Sequence, residues 1–127
     1  MVLIDTDIMV DLLRQYLPAV AWLRSLDDKE ISLPGFVVME LIQGCSNHTE
    51  QNRLEKELSS YSAIWHSIET CDKALSVFIR FHLTNNLGVL DALVGQTAVA
   101  LNLALHTFNQ KHYAVIPGLQ TIQPYKK

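Results

Sequence analysis

Four acidic residues in apolar surroundings are the residues of this sequence whose type and spacing could do chemistry. Asp5 and Asp7 end a short apolar run at the start of the chain, and Glu40 and Asp91 each lie within an apolar stretch. Carboxylates rarely enter apolar surroundings without a partner, and a divalent cation is a partner that several of them can share. The four acids therefore predict a site for Mg²⁺ or Mn²⁺.

The elements that must position these acids are short strands alternating with helices. The predicted strands are 2–4, 29–33, 63–68, 103–107 and 119–122. The predicted helices are 8–16, 18–26, 36–45, 47–61, 72–82 and 90–102. This alternation is typical of an α/β fold with a mostly parallel sheet. Ligands of such sheets gather beyond the carboxyl ends of the strands, where Asp5 and Asp7 are expected.

Length and composition favour one compact domain over residues 1–127. Of the 127 residues, 49% are hydrophobic and 18% are charged, which is typical of a globular chain with a substantial core. The net charge of −3 argues against a large nucleic-acid groove. Clustered acids at a site would lower the total charge without forbidding a local basic patch.

Cysteine usage and hydropathy indicate a cytoplasmic protein. Cys45 and Cys71 lack the spacing of a metal site and are expected to be reduced thiols of the core. No signal peptide is expected, because Asp5 and Asp7 interrupt the apolar start. The apolar stretch 89–105 contains polar residues and is shorter than a membrane span, so we expect a buried helix followed by a strand.

Each acid also has a structural interpretation. Asp5 could cap the helix that follows it, and Asp91 could be a first-turn acid favoured by the helix dipole. Glu40 could face solvent. All three lie where an element begins or ends near one sheet edge, which favours a shared cation. Such a cation lowers the pKa of a bound water and stabilises charge on a phosphodiester oxygen.

Four short motifs, taken in order, resemble those of a known family. They are LIDTD at 3–7, VMELIQG at 38–44, LDALV at 90–94 and LHTFN at 105–109. Together they resemble a PIN domain, and among PIN domains the VapC-type toxins of bacterial toxin–antitoxin pairs. The resemblance extends over essentially the whole chain, including the segment 116–119.

The resemblance implies a fold, an activity and partners. The fold would be a three-layer α/β/α sandwich around a mostly parallel sheet of four to five strands. The activity would be that of an endoribonuclease dependent on Mg²⁺ or Mn²⁺, acting on transfer, ribosomal or messenger RNA. The partners would be a second copy in a homodimer and a cognate antitoxin whose tail occupies the site.

The resemblance also implies roles for individual residues. Asp5, Glu40 and Asp91 match the three core acids, so they would hold the metal and act as the catalytic residues. Thr107 matches a hydroxyl beside the site, and Asn109 stands where a fourth acid often lies. An amide oxygen can contact a metal or a water, but it adds no negative charge.

Asp7 and Phe108 depart from the pattern. Asp7 occupies a place more usually held by Asn or Ser, and we hypothesise that it restores the charge that Asn109 lacks. Phe108 stands where a basic residue is common. The candidates for contact with RNA phosphates are Arg14, Lys111 and His112.

Three other functions are each compatible with part of the sequence. A degenerate PIN fold could bind RNA or a partner without cleavage, and Asn109 and the acidic total favour that alternative. Asp5-Thr6-Asp7 superficially resembles the nucleophile motif of haloacid-dehalogenase phosphohydrolases, but Ile8 and Met9 replace the expected Gly-Thr. A response-regulator receiver needs a phospho-accepting Asp after its third strand, and none follows the strand predicted at 63–68.

Overall fold

The computed structural model describes residues 1–27 and 30–127. Its strands are β1 (Val2–Ile4), β2 (Ile31–Pro34), β3 (Ser62–Ile64), β4 (Leu105–His106) and β5 (Thr121–Ile122). Its helices are α1 (Thr6–Leu13), α2 (Leu17–Arg24), α3 (Gly35–Gln43), α4 (His48–Leu58), α5 (Ile68–Asn85), α6 (Val89–Leu101) and α7 (Gln110–Tyr113).

The five strands form one parallel sheet in the order β3-β2-β1-β4-β5. The strand β1 lies in the middle, where Leu3 is in register with Ser32 of β2 and Leu105 of β4. Leu3 and Ile4 are completely buried, as expected for a central strand covered on both faces. The predicted α/β fold with a mostly parallel sheet of four to five strands is confirmed.

The direction of the chain across the sheet reverses beside β1. The first two crossovers lead from β1 outward to β2 and β3, and the third returns past β1 to β4. Among the helices, α1 contacts α2 and α3, α3 contacts α4, and α5 packs along α6. The carboxyl ends of β1 and β4 border the crevice that this reversal creates, which is where ligands of open α/β sheets bind.

Several element boundaries differ from the sequence prediction. The helix α5 begins at Ile68 and not after Asp72, because the Ser67 hydroxyl accepts the Thr70 N–H at 3.1 Å and caps the helix earlier. The strand predicted at 63–68 therefore ends at Ile64. The short helix α7 was not predicted. Lys29, the expected first residue of the second strand, lies outside the described residues.

The helices and the two cysteines bear on the expectations drawn from hydropathy and cysteine usage. None of the helices in the described parts of the chain combines the length and hydrophobicity that a membrane crossing requires. Cys45 and Cys71 are free thiols, and both are half-buried.

Candidate active site

Asp5 connects the central strand to the first helix. Its main-chain N–H donates to the His106 carbonyl at 3.0 Å, which extends the pairing of β1 with β4. Its side chain is the N-cap of α1, where Oδ1 accepts the Thr6 N–H at 2.8 Å. The structural interpretation of Asp5 is therefore correct, and the cap fixes its carboxylate at the end of β1. Only 9% of the residue is exposed.

The predicted acids meet at one cavity of about 250 Å³ beyond the carboxyl ends of β1 and β4. Four carboxylates line it, together with an amide and a phenol: Asp5, Asp7, Glu40, Asp91, Asn109 and Tyr113. We call this space the acid cavity. Among the residues that the structure describes, no lysine or arginine lines it. The acids thus share a small space with no lysine or arginine among the described lining residues to balance their charge.

Burial dominates the electrostatics of Asp5. Burial is the largest cause that raises the pKa of this carboxyl and the neighbouring charge of Asp7 is the second, and together with the opposing hydrogen bonds they leave it at about 6, above the ordinary value of 3.8. Hydrogen bonds from the Thr6 N–H and from the side chains of Thr107 and Tyr113 act in the opposite direction. These donors do not outweigh burial, so Asp5 carries a negative charge at neutral pH at a considerable energetic cost.

Asp7 ties α1 to the loop that follows β4. Its Oδ1 accepts the Ile8 N–H at 2.8 Å, and its Oδ2 accepts the Phe108 N–H at 2.9 Å. The Thr107 hydroxyl lies 3.3 Å from the same Oδ2 and 2.9 Å from Asp5 Oδ2, so one proton is shared between two acceptors. Both carboxylate oxygens of Asp7 accept hydrogen bonds that hold α1 to the loop after β4. The hypothesis that Asp7 restores the charge missing at Asn109 did not include this positioning role.

Asp91 is held from two sides. It is the third residue of α6, and its Oδ2 accepts the Gly88 N–H at 3.0 Å, as in a capping box. His112 Nε2 lies 2.7 Å from the same Oδ2, so it donates to the carboxylate. The first-turn interpretation of Asp91 is correct, and the same residue also lines the acid cavity. His112 therefore contacts an acid of the site, in addition to any role toward RNA.

The chemistry of the donors fits a hard divalent cation, although the side chains do not form a finished coordination shell. Carboxylate and amide oxygens are the ligands of Mg²⁺ and Mn²⁺, and the carboxyl of Asp5 has a raised pKa because it is buried and lies beside the negative charge of Asp7. Across residues 1–27 and 30–127, no three His, Cys, Asp or Glu side chains are grouped closely enough to hold a metal. A cation would have to draw the carboxylates together.

Basic residues flank the acid cavity on two sides. A groove of about 530 Å³ shares Thr6 and Glu40 with the acid cavity and is also lined by Arg14 and Arg53. We call it the arginine groove. On the other side, a pocket of about 330 Å³ shares Asn109 with the acid cavity and is lined by Lys111, His112 and Asn85. Arg14, Lys111 and His112, the predicted RNA contacts, thus all border the site.

Sequence reasoning missed two residues near the site. Tyr113 is 2% exposed, lines the acid cavity and donates its hydroxyl to Asp5. Burial and the negative charges of Asp5 and Asp91 raise the pKa of this phenol above its usual value, so it remains a donor. Arg53 lies on a polar helix whose charges looked merely solvated. Neither residue belongs to a motif, so only their position in space identifies them.

A comparison with family models places this geometry in a known family. The model described as "PIN domain" matches residues 2–116, which is most of the chain. The chain belongs to the PIN domain family. PIN domains are generally nucleases, and an acidic cavity at the carboxyl end of a parallel sheet is consistent with that chemistry. No curated protein matches the chain.

Solved structures that resemble this chain include toxin–antitoxin complexes. A toxin–antitoxin complex from Klebsiella pneumoniae has a chain that is 25% identical, with a TM-score of 0.78 and 100% of both chains covered. VapBC2 from Rickettsia felis, bound to a promoter DNA fragment, is 22% identical with a TM-score of 0.78, covering 96% of this chain and 98% of that one. DNA-bound VapBC from Salmonella typhimurium is 16% identical with a TM-score of 0.79 and the same coverage. These matches confirm the resemblance to VapC-type PIN domains.

Proposed function

We propose that this PIN domain, comprising residues 1–127, is an endoribonuclease dependent on Mg²⁺ or Mn²⁺. It hydrolyses RNA phosphodiester bonds and serves as the toxin of a type II toxin–antitoxin pair. One observation carries the proposal: four carboxylates line a single small cavity at the reversal of the sheet, without a lysine or arginine among the described residues that line it. Asp5 is buried and the other three acids are half-buried, and a buried charge beside other negative charges is costly unless a cation joins them.

The residues that would hold the cation are Asp5, Glu40 and Asp91, and these three are also the proposed catalytic residues. Asn109 offers an amide oxygen at the same cavity. Metal ions in such sites lower the pKa of bound water and stabilise negative charge on phosphate oxygens. Asp7 and Thr107 are accessory, because their hydrogen bonds keep Asp5 and the loop after β4 in place.

Other side chains of the site would orient the Asp5 carboxylate, the RNA strand and the attacking water. Tyr113 and Thr107 donate to Asp5 and hold its carboxylate toward the cavity. Arg14 lines the groove that shares Thr6 and Glu40 with the acid cavity, and Lys111 lines the pocket that shares Asn109 with it, so an RNA strand lying across these openings would meet both cations. Glu40 lines both the arginine groove and the acid cavity, a position from which it can orient a water beside the scissile phosphate.

A second candidate function is a PIN fold that binds RNA or a partner without cleavage. Two observations favour it. Asn109 replaces an acid, and one oxygen of Asp91 is already occupied by Gly88 and His112. Asn109 adds no negative charge and one Asp91 oxygen remains for a ligand, so this cavity would hold a metal with less charge than a site of fully available acids.

The neighbouring structures support an antitoxin partner for this chain. The arginine groove fits an amphipathic segment of such a partner, because its apolar wall includes Leu13, Leu41 and Leu54 and its rim carries both signs of charge. Occupation of the groove would also cover Glu40 and prevent access of RNA. A cytoplasmic location, where RNA and antitoxin would be met, remains our prediction.

A homodimer is proposed from the exposed face of α5. Four apolar side chains at helical spacing lie there with 57–85% exposure: Ile68, Leu75, Ile79 and Leu83. An apolar stripe of this length on one helix is typical of a surface that pairs with another protein. The stripe can face itself across a two-fold axis, so a second copy is the proposed occupant.

The test is incubation of purified protein with total transfer RNA and a structured ribosomal RNA fragment, in Mg²⁺, in Mn²⁺ and in EDTA. Asp5→Asn is the test variant, and Asp72→Asn, an exposed acid on α5, is its matched control. Discrete cleavage that needs metal, disappears in Asp5→Asn and persists in Asp72→Asn would establish the nuclease. RNA binding by a folded protein without metal-dependent cleavage would favour the non-catalytic function.

A further inference from the structure

Two residues near the end of the chain converge on a buried acid of α1. The Tyr125 hydroxyl donates to Asp11 Oδ2 at 2.6 Å, and Lys127 Nζ lies 3.0 Å from the same oxygen. Asp11 is 9% exposed. Burial and the bond to Asp11 raise the pKa of Tyr125, so its hydroxyl stays protonated and remains a donor. The segment 125–127 is therefore anchored to α1 by a charge-assisted pair.

The same two residues also hold Phe108. The rings of Tyr125 and Phe108 meet edge to face, with centroids 4.8 Å apart. Lys127 Nζ lies 4.5 Å from the centroid of the Phe108 ring, within the range of a cation–π contact. Phe108 is thus packed against a segment that is itself fixed to Asp11.

Phe108 belongs to the loop that forms one wall of the acid cavity. Its N–H donates to Asp7 at 2.9 Å. Its neighbour Thr107 donates to Asp5, and its other neighbour Asn109 lines the cavity. A chain of direct contacts therefore runs from Asp11 through the segment 125–127 to Phe108 and on to the acids.

We propose that Tyr125 and Lys127 are positioning residues that clamp Phe108, and through it hold the loop 107–109 and the carboxylate of Asp7 in place at the acid cavity. The effect of this clamp on catalysis rests on the proposed nuclease function. The clamp acts from outside the cavity, because neither residue contacts Asp5, Glu40 or Asp91 in the described structure.

Hydrogen exchange of the Phe108 amide measures the clamp directly, since that amide donates to Asp7. The test variants are Tyr125→Phe, which removes only the hydroxyl, and Lys127→Ala. Lys126→Ala is the matched control, because Lys126 is an exposed neighbour with no bond or ring contact to the described residues. The amide of Ala74, buried in α5, reports global opening.

We expect exchange of the Phe108 amide to accelerate about tenfold in Tyr125→Phe and Lys127→Ala, while that of Ala74 changes little. Lys127→Arg should restore slow exchange, because it keeps both the charge and the cation over the ring. Unchanged exchange at Phe108 in both test variants would overturn the clamp. Equal acceleration at Phe108 and Ala74 would also overturn it, since the residues would then serve general stability alone.

A second measurement, Mn²⁺ affinity by calorimetry, separates the clamp from the proposed function. In the test variants we expect Mn²⁺ to bind about tenfold more weakly, as when the outer supports of metal ligands are removed. If Mn²⁺ affinity is unaltered while the Phe108 amide exchanges faster, the clamp holds the loop 107–109 but does not support metal binding at the acid cavity, and that part of the proposal is overturned. If the unaltered protein binds no Mn²⁺, the proposed nuclease function fails, and the exchange result still decides whether Tyr125 and Lys127 hold the loop.

Discussion

His112 Nε2 lies 2.7 Å from Asp91 Oδ2, so the short helix α7 holds an acid that α6 presents to the acid cavity. The same oxygen accepts the Gly88 N–H. Within the described residues, the other oxygen of Asp91 accepts no hydrogen bond. The two donors therefore turn the carboxylate so that one oxygen is available to a ligand of the cavity.

Replacing His112 tests this orientation. We expect His112→Ala to lower the rate of RNA cleavage and Mn²⁺ affinity by about 10- to 100-fold, as for other donors behind metal ligands. His112→Gln should retain most of both, because its amide can still donate to Asp91. Cleavage rates and calorimetry check the result, with His48→Ala, exposed at the start of α4, as control. Equal losses in the Ala and Gln variants would show that the bond is not what matters.

Removing the charge of Asp5 should separate activity from stability. We expect Asp5→Asn to abolish cleavage and yet to raise the free energy of unfolding at pH 7 by about 1 to 3 kcal/mol. The reason is that the native carboxylate is ionised there in spite of its burial and the charge of Asp7. Urea unfolding in EDTA measures the difference. A less stable Asp5→Asn would mean that its hydrogen bonds outweigh the burial of charge.

The raised pKa of Asp5 also predicts how stability depends on pH. Its folded pKa is about 6 and its ordinary value is 3.8, so its contribution is fully present below about pH 4 and is lost as pH rises through 6. Relative to Asp5→Asn, the metal-free protein should therefore gain about 2 kcal/mol between pH 7 and pH 4. Unfolding of both proteins in EDTA across this range checks it. A difference independent of pH would contradict the assigned shift.

Arg14 and Lys111 should contribute to RNA affinity as phosphate contacts. For single-stranded RNA, removing one contact should reduce the slope of log affinity against log salt by about 0.7. We expect this for Arg14→Ala and for Lys111→Ala, measured in EDTA so that binding is observed without cleavage. Arg24→Ala, exposed in the last turn of α2, is the control. An unchanged slope in both variants would place the RNA elsewhere.

A charge on the exposed face of α5 should prevent dimer formation. Leu83 is 85% exposed near the end of the helix, so Leu83→Glu should leave the fold intact. In a dimer the buried glutamate would lack a partner, which costs several kcal/mol. Light scattering should show a dimer for the unaltered protein and a monomer for Leu83→Glu. Leu83→Met should remain dimeric, and a monomer in every case would rule out this face.

The fold was largely predictable because its signals are local. Apolar runs mark β1 and β2, and helical spacing marks the helices, so the α/β class and the parallel sheet followed from the sequence. The start of α5 was predicted wrongly because a polar capping residue determines where that helix begins. The Ser67 hydroxyl accepts a main-chain N–H and caps α5 five residues before Asp72, and no periodicity in the sequence distinguishes the two candidate caps.

The meeting of the acids at one cavity was predictable for a different reason. Asp5, Glu40 and Asp91 are conspicuous because each lies in apolar sequence, and their residue type limits the chemistry they can do. Their partners were not predictable. Tyr113 looks like an ordinary core aromatic, and His112 looks like a surface histidine until its neighbour across the cavity is known.

The sequence by itself determined the alternation of strands and helices and the presence of uncompensated acids, since both depend on residue type and local spacing. Only the tertiary structure decided which residues meet. Thr107 and Asp5 are 102 positions apart and Tyr125 and Asp11 are 114 apart, yet each pair shares a hydrogen bond. The reason is that strand order and register place β1 beside β4, and no local pattern in the chain encodes that pairing.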